Sequence, residues 1–148
     1  MNVKKYAFLV SLFLFSSHIE AACFSYAAER FGVDEIILKS IAHVESSFND
    51  HAMNVNNNRS YDIGIMQINS IHKQTLEKAG LTMVDLLDPC TNVIVGAWLL
   101  GDAIERSGGD VWEGVGRYHS ATPKYAEVYI DKVRKAFKRL NTGGENEK

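Results

Sequence analysis

The chain has 148 residues, 46% of them hydrophobic and 23% charged, with 16 Lys and Arg against 18 Asp and Glu for a formal net charge of -2. One domain of ordinary size accounts for this length, and the near-neutral balance excludes a protein that holds nucleic acid through its phosphates. Two Pro, 11 Gly and 10% aromatic residues exclude collagen-like, low-complexity or disordered character.

Lys4 and Lys5 precede an apolar run from Tyr6 to Phe15, and polar and small residues follow from Ser16 to Ala22. This is the pattern of a secretory signal. The run is too short to cross a hydrocarbon core of about 30 Å. Cleavage after Ala21 makes residues 1–21 the signal peptide, 22–140 the folded domain and 141–148 a flexible tail. An uncleaved anchor stays open. So does a lipoprotein signal ending at Cys23, although Glu20 stands where such signals carry an aliphatic residue. Cys23 and Cys90 both survive cleavage, and an even count in an oxidising compartment predicts that they pair, two buried free thiols being the alternative.

Ile37, Leu38, Ile41, Ala42 and Val44 recur at helical spacing and predict a helix over Asp34 to Ser47 with Asp34 as its N-cap. Asn49 to Ser60 has no apolar period, and Tyr61 to Ile68 is β-capable but broken at Gly64, which predicts a small irregular hairpin. A helix over 70–79 stops at Gly80, and Thr82 to Leu87 adds a turn or two with Asp85 three residues after a Thr cap. Asp88-Pro89 opens a nearly all-apolar helix that ends at Gly108-Gly109 and reads as the central one. Its small residues Gly96, Ala97 and Gly101 are expected to admit a neighbouring helix.

Asp110 with Glu113 forms a capping-box pattern for a short helix to Tyr118. Thr122-Pro123 starts the last helix, expected to turn Tyr125, Val128, Tyr129, Val133, Ala136 and Phe137 inward and Lys132, Arg134, Lys135, Lys138 and Arg139 outward. The fold class is therefore α+β, mainly α, with five or six helices, one small β-hairpin and no βαβ alternation.

Leu38, Ile41, Ala42 and Glu45 fall at i, i+3, i+4 and i+7, which sets the Glu45 carboxylate on the apolar side of its helix. Desolvation favours the protonated form there, and a carboxyl kept neutral near pH 7 is suited to protonating a leaving group. A helix-end Glu turned to solvent or paired with Lys39 or Arg30 is the plain alternative. A second carboxylate, Asp62, lies in the hairpin Tyr61-Asp62-Ile63-Gly64-Ile65-Met66-Gln67-Ile68-Asn69. Gly64 permits close approach of a substrate or of neighbouring backbone. Gln67 and Asn69 carry donors and acceptors suited to N-acetyl groups, or alternatively to the hairpin's own backbone. His43, His51, His72 and His119 show no tight metal-ligand spacing, so neither a metal nor a cofactor is expected. His43-x-Glu45 followed by Pro89-Cys90 falls short of a zinc deaminase pattern because Val93 occupies the second cysteine position.

His43-Val44-Glu45-Ser46-Ser47-Phe48-Asn49 followed by Asp62-Ile63-Gly64-Ile65-Met66-Gln67-Ile68-Asn69-Ser70 resembles the catalytic segment of lysozyme-like, peptidoglycan-cleaving enzymes. The similarity spans roughly residues 22–137. It points to the small lytic transglycosylases (SLT domain) of bacterial secretion systems and type IV pili, with local likeness to animal-type lysozymes in the Glu-to-Asp spacing. It implies a goose-type lysozyme/SLT fold, a periplasmic location and cleavage of the β-1,4 bond between N-acetylmuramic acid and N-acetylglucosamine. Glu45 would be the acid/base and Asp62 a catalytic auxiliary, or the second carboxylate of a hydrolysing lysozyme. Ser46 would orient the glycan near Glu45, Gln67 would bind an N-acetyl group, and Met66 would line the cleft floor. Tyr118 matches the Tyr of a Tyr-Asn motif whose Asn is replaced by His119. Tyr129 matches a late Tyr that points at the catalytic Glu, with Tyr125 as its rival. The implied partners are peptidoglycan strands and an envelope assembly component. A catalytically silent wall-binding module is the non-enzyme reading.

Overall fold

The computed structural model describes residue 21 and residues 23–143. The expected signal peptide, apart from residue 21, lies outside the described residues, as do residues 22 and 144–148. Residues 23–31 form α1, followed by α2 (Glu35–Ser46), strands β1 (Met53–Val55), β2 (Tyr61–Ile63) and β3 (Ile68–Asn69), then α3 (Lys73–Lys78), α4 (Pro89–Arg106), α5 (Val111–His119) and α6 (Pro123–Gly143). The strands make one antiparallel sheet in the order β1-β2-β3. Its register sets Asn54 opposite Asp62 and Asp62 opposite Asn69, so three polar side chains share one face.

The helix starts follow their caps. Asp34 Oδ1 accepts from the N–H groups of Ile36 and Ile37, and Asp88 accepts from Thr91 ahead of Pro89 at the first helical position. Asp110 accepts from the Glu113 N–H, but the capping box is only half formed because the Glu113 carboxylate pairs with Arg117 at 3.0 Å. The helix expected over 70–79 begins as a 3-10 turn at Ser70–His72, since the Asn69 side chain accepts from the Ile71 N–H and tightens the entry. Helix α6 continues to Gly143 and so takes up the first residues of the expected tail.

Helix α4 is the central element, packed against α5, while α6 packs on both α2 and α5. Gly101 admits the end of α1 as expected, a Cβ there lying 3.3 Å from the Phe31 carbonyl oxygen, but Gly96 acts differently. A Cβ at Gly96 would stand 2.8 Å from the Met66 side chain, so this gap admits the hairpin's methionine rather than a helix. A closer helix–helix approach occurs at Gly114 of α5, where a Cβ would lie 2.7 Å from the Ile104 Cα. On α6, Tyr129, Val133 and Ala136 are buried as expected, whereas Tyr125 and Val128 are 59% and 53% exposed. Among the described residues, nothing covers that edge of the first two turns. The Cys23–Cys90 disulfide forms and ties α1 to the first turn of α4 across 67 residues, a closure that stabilises by about 4 kcal/mol in the chain-entropy model.

Asn92 is fully buried on α4. Its Nδ2 donates to the carbonyls of Ile63 at 2.8 Å and Leu86 at 3.0 Å, and its Oδ1 accepts from the Met66 N–H at 2.9 Å. Gly64, at φ +76°, passes so close that any Cβ would overlap this amide. One side chain thus bonds three buried backbone groups in three separate segments. Asn92→Leu strands all three and is expected to cost roughly 3 kcal/mol, about 10 °C in Tm for a domain of this size. Thermal unfolding followed by circular dichroism checks this, and an unchanged midpoint would show the amide to be dispensable.

Candidate active site

Glu45 sits in the last turn of α2, where the chain leaves through Ser47 and Phe48 at φ +53° and +62°. Left-handed backbone at a bulky non-glycine residue is strained. It is held by the Phe48 ring, which packs edge-on against Phe24 at 6.2 Å. This exit lets the hairpin pass beneath the carboxylate. Across the gap, Tyr129 of α6 donates its hydroxyl to Glu45 Oε1 at 2.6 Å. Tyr129 is 3% exposed, and Tyr125, one turn earlier, lies outside the site.

A hollow of about 250 Å³ opens in front of Glu45, lined also by Asp62, Gln67, Asn69, Tyr118 and His119. Burial is the main cause that lifts the Glu45 pKa from 4.5 to about 7. The Tyr129 hydrogen bond opposes that rise, the charge of Asp62 adds to it, and Lys132 pulls it down. Asp62 is held on both oxygens: Asn69 donates to Oδ1 at 2.7 Å and Asn56 to Oδ2 at 2.9 Å. The carboxylate therefore stands as a fixed acceptor at the rim of the hollow.

The remaining expected residues divide between cleft and scaffold. The Ser46 hydroxyl donates inward to the Ile65 carbonyl at 2.7 Å. Tyr118 donates to the Met66 carbonyl at 2.9 Å, and burial pushes its own phenol well above the usual range. Gln67, at φ +48°, spends its amide on the hairpin, donating to Gly64 at 2.9 Å and Ala52 at 3.2 Å and accepting from Asn54. Met66 is fully buried beneath the cleft, not on its floor, and Gly64 makes room for Asn92 rather than for a ligand. The His119 ring lies flat on Tyr129, with centroids 4.3 Å apart. Burial, reinforced by the charge of Lys132, holds its imidazole below the usual range, against the pull of Asp62.

Asn56 and Asn92 are the residues that sequence reasoning missed. Asn56 sits in a polar run with no period, and Asn92 in a helix otherwise read as apolar; only their position facing Asp62 and the Gly64 turn reveals a task. Among the described residues, no three His, Cys, Asp or Glu side chains converge as metal ligands would.

The buried carboxyl carries a stability signature. An acid whose folded pKa is raised binds its proton more tightly when folded. Its favourable contribution is thus complete below pH 4.5 and is lost as pH rises through about 7. Glu45→Gln removes the ionised group without changing shape and is expected to raise Tm at pH 8.5 by roughly 5 °C or more, from a relief of about 3 kcal/mol at most. The two proteins converge below pH 5. Scanning calorimetry at both pH values checks this, and an equal Tm at pH 8.5 would contradict a buried carboxylate.

Residues 22–139 match the Transglycosylase SLT domain family. The chain is 36% identical over 149 aligned residues to the invasion protein IagB of Salmonella typhi, covering 97% of this chain and 92% of that protein. It is 40% identical over 130 residues to protein IpgF of Shigella flexneri, with 81% and 85% covered. With a peptidoglycan-binding-like protein of Escherichia coli O157:H7 the identity is 33% over 137 residues, with 84% and 81% covered. The fold is shared with an inactive mutant of the lytic transglycosylase Slt from Pseudomonas aeruginosa, at a TM-score of 0.63 and 18% identity over 81% of this chain. This chain spans only 24% of that larger protein. The mainly α, lysozyme-like architecture expected from the motifs is therefore the observed one, and the chain belongs to the Transglycosylase SLT domain family.

Proposed function

We propose that the protein is a peptidoglycan lytic transglycosylase, cleaving the β-1,4 bond between N-acetylmuramic acid and N-acetylglucosamine to leave 1,6-anhydromuramyl ends. The observation that carries this reading is the half-buried Glu45 carboxyl, raised to a pKa of about 7 and fixed by the Tyr129 hydroxyl. A group so poised is a proton donor near neutrality and a competent base once its proton is spent. Glu45 protonates the glycosidic oxygen as the bond to muramoyl C1 breaks, and the N-acetylglucosamine 4-hydroxyl departs. The resulting carboxylate then takes the proton of the muramoyl 6-hydroxyl as O6 closes on C1. Atoms balance without water, and Glu45 ends protonated, ready for the next bond.

Asp62 faces the positive charge that develops at C1. With an amide donated to each oxygen, it is held as a charge partner for the oxocarbenium-like transition state, not released as a nucleophile for a covalent intermediate. Gln67, Asn69 and His119 line the same hollow and supply its polar wall. Ser46, Gly64 and Met66 act through the loop they hold, and Tyr118 both braces that loop and lines the hollow.

Export by cleavage after Ala21, a folded domain from residue 22 onward and a periplasmic site of action complete the reading, since the substrate lies there. The enzyme's use is local opening of the wall for a secretion machine or pilus, a role in keeping with the word invasion in the name of the relative IagB. An envelope component would recruit an enzyme that carries no separate wall-binding domain among its described residues.

Mass spectrometry of muropeptides released from purified peptidoglycan tests the reaction. Anhydromuramyl products are expected, falling by at least ~1,000-fold in Glu45→Gln, the order lost when an essential acid/base is removed. Asp62→Asn is expected to slow release while keeping the anhydro product. Reducing ends lost in both variants would make the protein a hydrolysing lysozyme, and no products at all from the unmodified protein would favour a wall-binding module.

A further inference from the structure

A second hollow, of about 340 Å³, lies on the far side of Tyr129 and is walled by His119, Lys124, Tyr125, Val128 and Lys132. Its wall contains two lysines and no carboxylate, whereas the hollow in front of Glu45 contains Glu45 and Asp62 and no lysine. Among the described residues neither Lys124 nor Lys132 pairs with an acid; every ion pair there uses other cations. Glu127, on the same helix, turns to a different groove beside Glu113 and Arg117. The two hollows adjoin across the stacked His119 and Tyr129. His119 lines both, and Tyr129 gives its hydroxyl to Glu45 while its ring face stacks on His119. The apolar floor of the second hollow is the uncovered edge of α6, with Tyr125 59% and Val128 53% exposed.

An apolar floor flanked by unpaired cations and opening directly beside the reacting site suits an acidic, partly apolar branch of the same substrate. We propose that this hollow binds the carboxylate-bearing peptide attached to the muramoyl sugar, with Lys124 and Lys132 receiving carboxylates and Tyr125 and Val128 packing on the peptide's apolar side chains. The inference rests on the transglycosylase reading and deepens it: the neutral glycan occupies the acidic hollow and its anionic branch the basic one. The site then prefers peptide-bearing strands over bare ones. Its preference is electrostatic in part and weakens with salt, because exposed charges are screened within about 10 Å at 0.1 M.

The test compares kcat/KM on two substrates: purified glycan strands carrying their peptides, and the same strands stripped of peptide by an amidase. One exposed lysine–carboxylate contact is worth up to about fivefold, so the two lysines with the apolar floor are expected to give a preference of roughly tenfold for peptide-bearing strands. In the double variant Lys124→Ala with Tyr125→Ser the ratio is expected to fall to about twofold or below, through a raised KM for the peptide-bearing substrate. Lys124→Arg should retain the preference, and both changes lie on exposed positions, so circular dichroism serves to verify an unaltered fold. A ratio unchanged by the double variant overturns the proposal. So does an equal loss on both substrates, which would make the hollow a glycan site. Cleavage of both substrates at equal rates by the unmodified protein overturns the peptide site alone. Failure to cleave either removes the transglycosylase reading and this inference with it.

Discussion

The structure turns on a stretch of buried, irregular backbone. Between β2 and β3 the chain crosses the middle of the domain without a strand partner for its polar groups, and each unpaired one would cost free energy comparable to a lost hydrogen bond. Three helices supply the partners: Ser46 of α2 reaches Ile65, Asn92 of α4 reaches Ile63 and Met66, and Tyr118 of α5 reaches the other side of Met66. Those bonds fix the helices relative to the hairpin. They also fix the cleft, because Glu45 precedes Ser46 and Asp62 and Gln67 bracket the turn. Ser46, Gln67 and Tyr118, expected as sugar contacts, in this structure bond to the hairpin backbone between β2 and β3.

Onto that frame the site adds an electrostatic compromise. Burial alone would push the Glu45 carboxyl high enough to make it a reluctant donor, while the Tyr129 hydroxyl and the more distant Lys132 ammonium bring it back toward neutrality. Asp62 pushes the other way while its own carboxylate is anchored by two amides. The domain accepts a destabilised ionised acid above pH 7, and the packed core with the Cys23–Cys90 bond offsets it. Tyr129 joins these features, buried against the body, bonded to the acid and stacked under His119.

Much of this was legible from residue order. Helix starts at Asp34, Asp88-Pro89 and Asp110 are written in caps that act within four residues. Glu45 shows itself because an acid on an apolar stripe has no structural reason to be there. What stayed hidden depends on distance along the chain. Asn92 meets Ile63 and Met66, which lie 29 and 26 residues away, and no local pattern distinguishes it from a first-turn polar residue. Tyr125 and Val128 follow the apolar period of α6, and a period shows which residues share a face, not whether another element reaches far enough to cover it. For Ser46, Gln67 and Tyr118 the side-chain chemistry was clear but its recipient was not, since an amide or hydroxyl suits a backbone carbonyl as well as a sugar.

The claim on which the rest of the account depends is that Glu45 holds its proton near neutrality. Titration of its side-chain carboxyl by carbon-13 NMR, assigned against Glu45→Gln, measures this without substrate. The account predicts a midpoint of about 7. A midpoint near the ordinary 4.5 would mean the carboxyl is hydrated and ionised at neutral pH, and Glu45 could not then be the general acid.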